Sequence, residues 1–130
     1  MSKKTVSMLD CDCSRSLCPV TNVLDIIGDK WTILVVRDIL FLGKRRYGEL
    51  VDSAEGIPTN ILADRLKRLE AAEIIEKIPY QEKPVRYEYR LTQKGEDLRP
   101  LIKELAVWGN KYIDGTMVPP EGFMDKPYER

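Results

Sequence analysis

The chain contains no histidine. That absence removes Ser-His-Asp and Cys-His nucleophile systems, histidine zinc ligands and the commonest general acid–base side chain. Neither a glycine-rich phosphate loop nor a paired-carboxylate motif is present, so neither catalysis nor a bound cofactor is expected. Cysteine is scarce. Three residues, Cys11, Cys13 and Cys18, argue against a secreted disulfide framework, and without histidine they leave a tetrahedral zinc site incomplete, so no metal is expected. Long apolar runs are also missing. The longest candidate, "WTILVVRDILFLG", is interrupted by Arg37 and Asp38 and falls short of the roughly 18 residues that span a bilayer. The opening "MSKKTVSMLDCDC" has no apolar signal core, so a cytoplasmic protein without membrane contact is expected. Net charge is absent too, at +0, which is awkward for a nucleic-acid binder because such domains are often basic.

What is present is enough apolar sequence for one core. The 130 residues, 43% hydrophobic and 32% charged, amount to about one soluble domain. The cations are clustered despite the zero sum: Lys44, Arg45 and Arg46, then Arg65, Lys67 and Arg68, then Lys83 and Arg86. On charge alone these read as ordinary solvated surface rather than as a binding face.

Periodicity supplies the organisation. Residues 1–17 show no sustained pattern and are expected to form a flexible arm. From Pro19, Val20, Val23, Leu24 and Ile27 recur at helical spacing until Gly28, a candidate C′ glycine. "DKWTILVVRDIL" follows with Asp29 as candidate N-cap. It is apolar nearly all round and should be the central helix, with Trp31 in the core. "RRYGEL" should lay a short strand and then enter a helix over 47–53. "AEGIP" is a turn, and the next helix spans 59–72. "IIEKIPY" and "VRYEYRL", joined by "QEKP", predict a hairpin whose Tyr87, Tyr89 and Leu91 share an inward face. Thr92 should cap a long last helix carrying Leu98, Leu101, Ile102, Leu105, Trp108 and Tyr112. Residues 115–130 read as a loose tail.

A short helix, a turn and a second helix make a helix-turn-helix unit, and a hairpin directly after it makes the winged form. The fold class is therefore mainly α with a small β-hairpin wing (α+β). In "TNILADRLKRLEAAEII" the helical rotation of about 100° per residue puts Leu66 and Leu69 within about 40° of Leu62. Asn60, Asp64 and Lys67 then oppose the leucines, while Arg65 and Arg68 flank them. Asn can pair with adenine, and Lys can reach guanine or phosphate. Asp64 would repel phosphate unless a neighbouring cation pairs with it.

These residues carry a resemblance. "IGDKW", "RRYGEL", "LADRLKRLE", "VRYEYRLTQKG", the cysteine before the first helix and the late tryptophan of "LAVWG" resemble the HxlR-type winged helix-turn-helix regulators of bacteria, from Cys18 to about Ile113. The resemblance implies a homodimeric, sequence-specific regulator of transcription on double-stranded DNA, its winged domain over 18–114. It implies that Thr59, Asn60 and Lys67 lie on the recognition helix and that Lys83 and Arg86 lie at or near the wing. Arg45 and Arg46 are candidate phosphate contacts or plain surface cations. The terminal helices, through Leu101, Leu105, Trp108 and Tyr112, would build the dimer. Cys18 matches the family's common cysteine, a redox or electrophile sensor in some members, so a redox or small-molecule effector is a candidate partner. Its place at a helix start can lower a thiol pKa, and an inert thiol is the alternative. Pro58 departs from the family, standing where many relatives carry a Ser or Thr cap, and Thr59 is expected to take over that role. A winged-helix protein-interaction module that binds no DNA remains the competing reading.

Overall fold

Asp29 starts the central helix from outside it. Its carboxylate accepts hydrogen bonds from the main-chain amides of Trp31 (3.1 Å) and Thr32 (3.2 Å) and from the Thr32 hydroxyl, satisfying donors that a helix start otherwise leaves open. Helix α2, Thr32–Leu42, runs from there to Gly43, whose φ of 68° stops it. The computed structural model of the chain describes residues 15–125. Before α2 lies α1, Pro19–Ile27, closed by Gly28 in a right-handed conformation rather than the left-handed one of a C′ glycine.

Helices α3, Tyr47–Val51, and α4, Thr59–Ala71, form the helix-turn-helix pair. Strands β1, Ile75–Glu82, and β2, Val85–Leu91, pair antiparallel from Ile75↔Leu91 to Glu82↔Val85, with an irregularity between Pro79 and Gln81. Helices α5, Gln93–Glu96, and α6, Arg99–Tyr112, complete the body. The core joins α2 to α4 and the base of the hairpin through Val36, Ile39, Leu40, Leu62, Leu69 and Ile75. Asp38 is buried in it, paired with Arg37 (2.7 Å) and Lys44 (3.3 Å), and Arg37 goes on to Glu55 at 2.8 Å. A buried charge is costly unless paired in this way. Among the described residues no helix is long and apolar enough to cross a membrane.

Four expectations need correction. "RRYGEL" forms no strand; it contributes one main-chain bond, from the Tyr89 amide to the Arg45 carbonyl (2.6 Å), and the sheet stays two-stranded. The last helix is split. Thr92 caps α5, its hydroxyl accepting from the Gly95 amide at 3.2 Å, and Pro100, which has no amide to continue that helix, opens α6 instead. Tyr87 is 40% exposed, with the Lys77 ammonium 4.4 Å from its ring centre, because the outer part of the hairpin extends past the helices it packs on. Tyr89 and Trp31, half-buried, do pack against the core. Finally, residues expected in a loose tail pack back on the body: Phe123 lies 6.3 Å from Phe41, ring centre to ring centre, and Asp125 pairs with Lys103.

Candidate nucleic-acid interface

The orientation of α4 follows from its leucines. Leu62, Leu66 and Leu69 are all buried, each worth about 1.5–3 kcal/mol, whereas an exposed ion pair is worth about 0–1 kcal/mol. The stripe therefore decides which face turns outward, and Asn60, Asp64, Lys67 and Arg68 stand in solvent. Pro58 is the N-cap residue, in extended conformation, and no side chain caps the first turn. Thr59 thus begins the helix without taking the capping role. It is fixed from outside: the Tyr47 hydroxyl donates to the Thr59 carbonyl oxygen at 3.1 Å. The turn between α3 and α4 is closed by the Ile57 amide on the Ser53 hydroxyl (3.0 Å).

The second cationic cluster is not a uniform basic patch. Arg65 turns inward. Its Nε donates to Asp29 at 2.8 Å and its guanidinium also pairs with Asp64, leaving the side chain 14% exposed. Asp64 also forms an ion pair with Arg68 Nε at 3.1 Å. The carboxylate that would repel phosphate is therefore held between two guanidinium groups. Burial pushes the Asp29 carboxyl up, but hydrogen bonds from Thr32, Arg65 and the Trp31 amide prevail and hold it well below the usual carboxylate range. The same pairing raises Arg65.

Lys83 sits in the connection between the strands and Arg86 one residue into β2, both exposed. Lys67, Lys83 and Arg86 enter none of the ion pairs among the described residues. Arg45 is half-buried and Arg46 exposed. Both main-chain amides donate to Glu49 Oε1 at 3.0 Å, which sets the entry to α3, and the Arg46 guanidinium stacks 4.0 Å from the Tyr80 ring centre. An open hollow of about 640 Å³ between α3 and the wing brings Arg46 and Arg86 together with Tyr47, Tyr80 and Tyr87. The sequence pattern places Tyr87 on the inward face of the hairpin and gives no sign of Tyr47 and Tyr80 beside it. Tyr80 falls at the irregularity of β1, where strict alternation no longer indicates a face.

Away from this side, α6 exposes Leu101, Leu105 (53%), Trp108 (62%) and Tyr112, and α1 exposes Val20 and Leu24. Between α1, α2 and α6 runs an apolar groove of about 670 Å³, lined by Val20, Leu24, Ile33, Leu34, Leu101 and Leu105. Contiguous apolar surface of this kind makes this side a candidate contact face. Cys18 is the residue before α1, half-buried and outside the core. The Thr21 and Val20 amides, followed by the Thr21 hydroxyl, hold its thiol below the ordinary range. Cys11 and Cys13 lie outside the described residues.

Comparison with known proteins bears on this geometry. The family described as HxlR-like helix-turn-helix matches residues 26–117. An uncharacterized HTH-type transcriptional regulator of Mycobacterium tuberculosis is 39% identical over 101 residues, covering 78% of this chain and 63% of that protein, so this chain spans less than two-thirds of that relative's length. The reduced form of the transcriptional regulator YodB from B. subtilis superposes with a TM-score of 0.63 at 30% identity, covering 78% of this chain and 99% of YodB. YodB has also been crystallised diamide-treated and quinone-bound. The reduced form of the redox regulator HypR superposes with a TM-score of 0.65 at 34% identity, covering 75% of this chain and 95% of HypR.

Proposed function

The chain belongs to the HxlR-like helix-turn-helix family, and from that premise we propose that it is a homodimeric, sequence-specific DNA-binding regulator of transcription, acting in the cytoplasm and without catalytic activity. The observation that carries the reading is α4. Its leucines are buried, its Asn60 and Lys67 face solvent, and the carboxylate between them, Asp64, is paired with Arg65 and Arg68. Thr59, Asn60 and Lys67 are the groove-facing residues. Arg45, Arg46, Lys83 and Arg86 are backbone contacts that position the protein without reading sequence. Residues 18–114 form the binding and pairing unit, with Leu101, Leu105, Trp108 and Tyr112 on the face shared by two copies. The zero net charge favours the alternative, an interaction module without DNA binding. A gel-shift assay on the DNA upstream of its own gene and its neighbours separates the two: a discrete competitor-resistant complex supports the regulator, and none on any fragment selects the module.

Cys18 is the proposed responsive position. The Thr21 and Val20 amides lower its pKa, which raises the share of thiolate, the reactive form, and the similar structures include diamide-treated YodB and the redox regulator HypR. Operator affinity should change on mild diamide treatment in wild type and not in Cys18→Ser. Equal affinity before and after treatment in wild type excludes the switch.

A further inference from the structure

Four charged side chains alternate in sign from the α1–α2 corner to the solvent face of α4. Asp29 pairs with Arg65 at 2.8 Å, Arg65 with Asp64, and Asp64 with Arg68 at 3.1 Å. The inner pair is the less exposed one, 29% for the Asp29 side chain and 14% for Arg65, against 50% for Asp64 and 60% for Arg68. Asp29 thus stands at one end, held by the cap of α2, while the other end points where DNA would lie.

We infer that Asp29 sets the charge that the recognition helix presents to DNA, with Arg65 as the positioning residue that transmits it to Asp64 and Arg68. The inference rests on the DNA-binding reading above. The row sums to zero as it stands, two carboxylates against two guanidinium groups. Its inner half is partly shielded from water, so a charge removed there is felt on the outer half more strongly than across bulk solvent. Were Arg65 not engaged by Asp29, its whole charge would oppose Asp64 and leave Arg68 unmatched beside phosphate. Asp29 therefore restrains affinity for DNA of any sequence. A restraint of that kind raises discrimination, because non-specific binding is almost entirely electrostatic, whereas base contacts specify. Asp29 also lines the apolar groove between α1 and α6, so one carboxylate touches both the surface proposed for pairing and the helix proposed for reading.

The test ranks variants by the charge of the row. Asp29→Asn keeps an acceptor for the Trp31 and Thr32 amides, since Asn caps as well as Asp, and brings the row to a net positive charge. Asp64→Asn, at an exposed site, does the same. Arg65→Gln makes the row negative, and Arg65→Gln with Asp64→Asn returns it to zero. Affinity is measured for a duplex of random sequence and for the duplex that wild type selects from a random pool, with thermal melting as a check on the fold. Expected is about threefold or greater tightening on the random duplex for Asp29→Asn and for Asp64→Asn, about threefold or greater weakening for Arg65→Gln, and recovery to near wild type in the double variant. A purely structural Arg65 would leave the double variant as weak as the single one and would make Asp29→Asn bind less well. Either result overturns the inference. If Arg65→Gln does not fold, the two Asn variants decide alone, and unchanged binding in both overturns it. Wild type that binds neither duplex overturns the DNA-binding reading itself, whereas wild-type binding with unranked variants overturns only the role of Asp29.

Discussion

The Tyr47 hydroxyl donates to the main-chain carbonyl of Thr59 at 3.1 Å and so ties the first residue of α3 to the first residue of α4. The two helices share few other polar links at their starts, and both starts lie on the side that carries Asn60 and Arg46. A neutral hydrogen bond of this kind contributes about 0.5–1.5 kcal/mol. Tyr47→Phe removes it while keeping the ring. Operator affinity should fall by about three- to tenfold, the equivalent of that bond, with only a small change in melting temperature. Fluorescence anisotropy with labelled operator measures it, and wild-type affinity in the variant would show that the tie does not orient α4.

The wing should contribute charge and no reading. Lys83→Ala or Arg86→Ala is expected to weaken binding to all sequences alike and to reduce the salt slope by about one unit each. Titrations at several salt concentrations check this. A variant with the wild-type slope places its side chain away from phosphate.

Pairing should depend on α6. Leu105 and Trp108 are more than half exposed, on a helix otherwise anchored by Ile102. Leu105→Glu with Trp108→Glu should give a folded monomer in sedimentation velocity at micromolar concentration and lose cooperative operator binding. A dimer that survives both changes would move the interface elsewhere.

Acid should reach the α2 cap. The folded Asp29 carboxyl titrates well below its unfolded value, so its contribution is fully present above the ordinary carboxylate pKa of about 3.9 and is lost as pH falls through the folded value. Glu55, lowered by its hydrogen bond to Arg37, acts in the same direction. Urea midpoints of wild type and Asp29→Asn should run parallel from neutrality to about pH 4. Below that, wild type should fall more steeply. Parallel curves throughout would show that Asp29 is not held in its charged form by the fold.

The element order and the outward face of α4 were legible because one period dominates: Leu62, Leu66 and Leu69 can be buried only by a helix in one orientation. The exposed stripe of α6 was legible for the same reason. What could not be read depended on distant partners. Arg65 looked like a flank of the DNA face, and its inward turn depends on Asp29, 36 residues earlier. Tyr87 alternated correctly, but alternation does not tell whether a second layer exists to cover that face. "RRYGEL" had strand-like surroundings, yet only Arg45 meets Tyr89. The last helix divides at Pro100, whose missing amide interrupts an apolar repeat that runs on at either side and gives no sign of the break.

The most direct measurement is footprinting of the operator that wild type selects from a random pool, repeated with Asn60→Ala and Lys67→Ala. A dimer whose α4 helices enter successive major grooves predicts two protected half-sites about 34 Å apart. Asn60→Ala should cost about 1–3 kcal/mol and relax preference at one position in each half-site. Lys67→Ala should weaken both half-sites equally. A selected pool with no common sequence, or a footprint unchanged in strength and pattern by both substitutions while the fold stays intact, would contradict α4 as the reading helix.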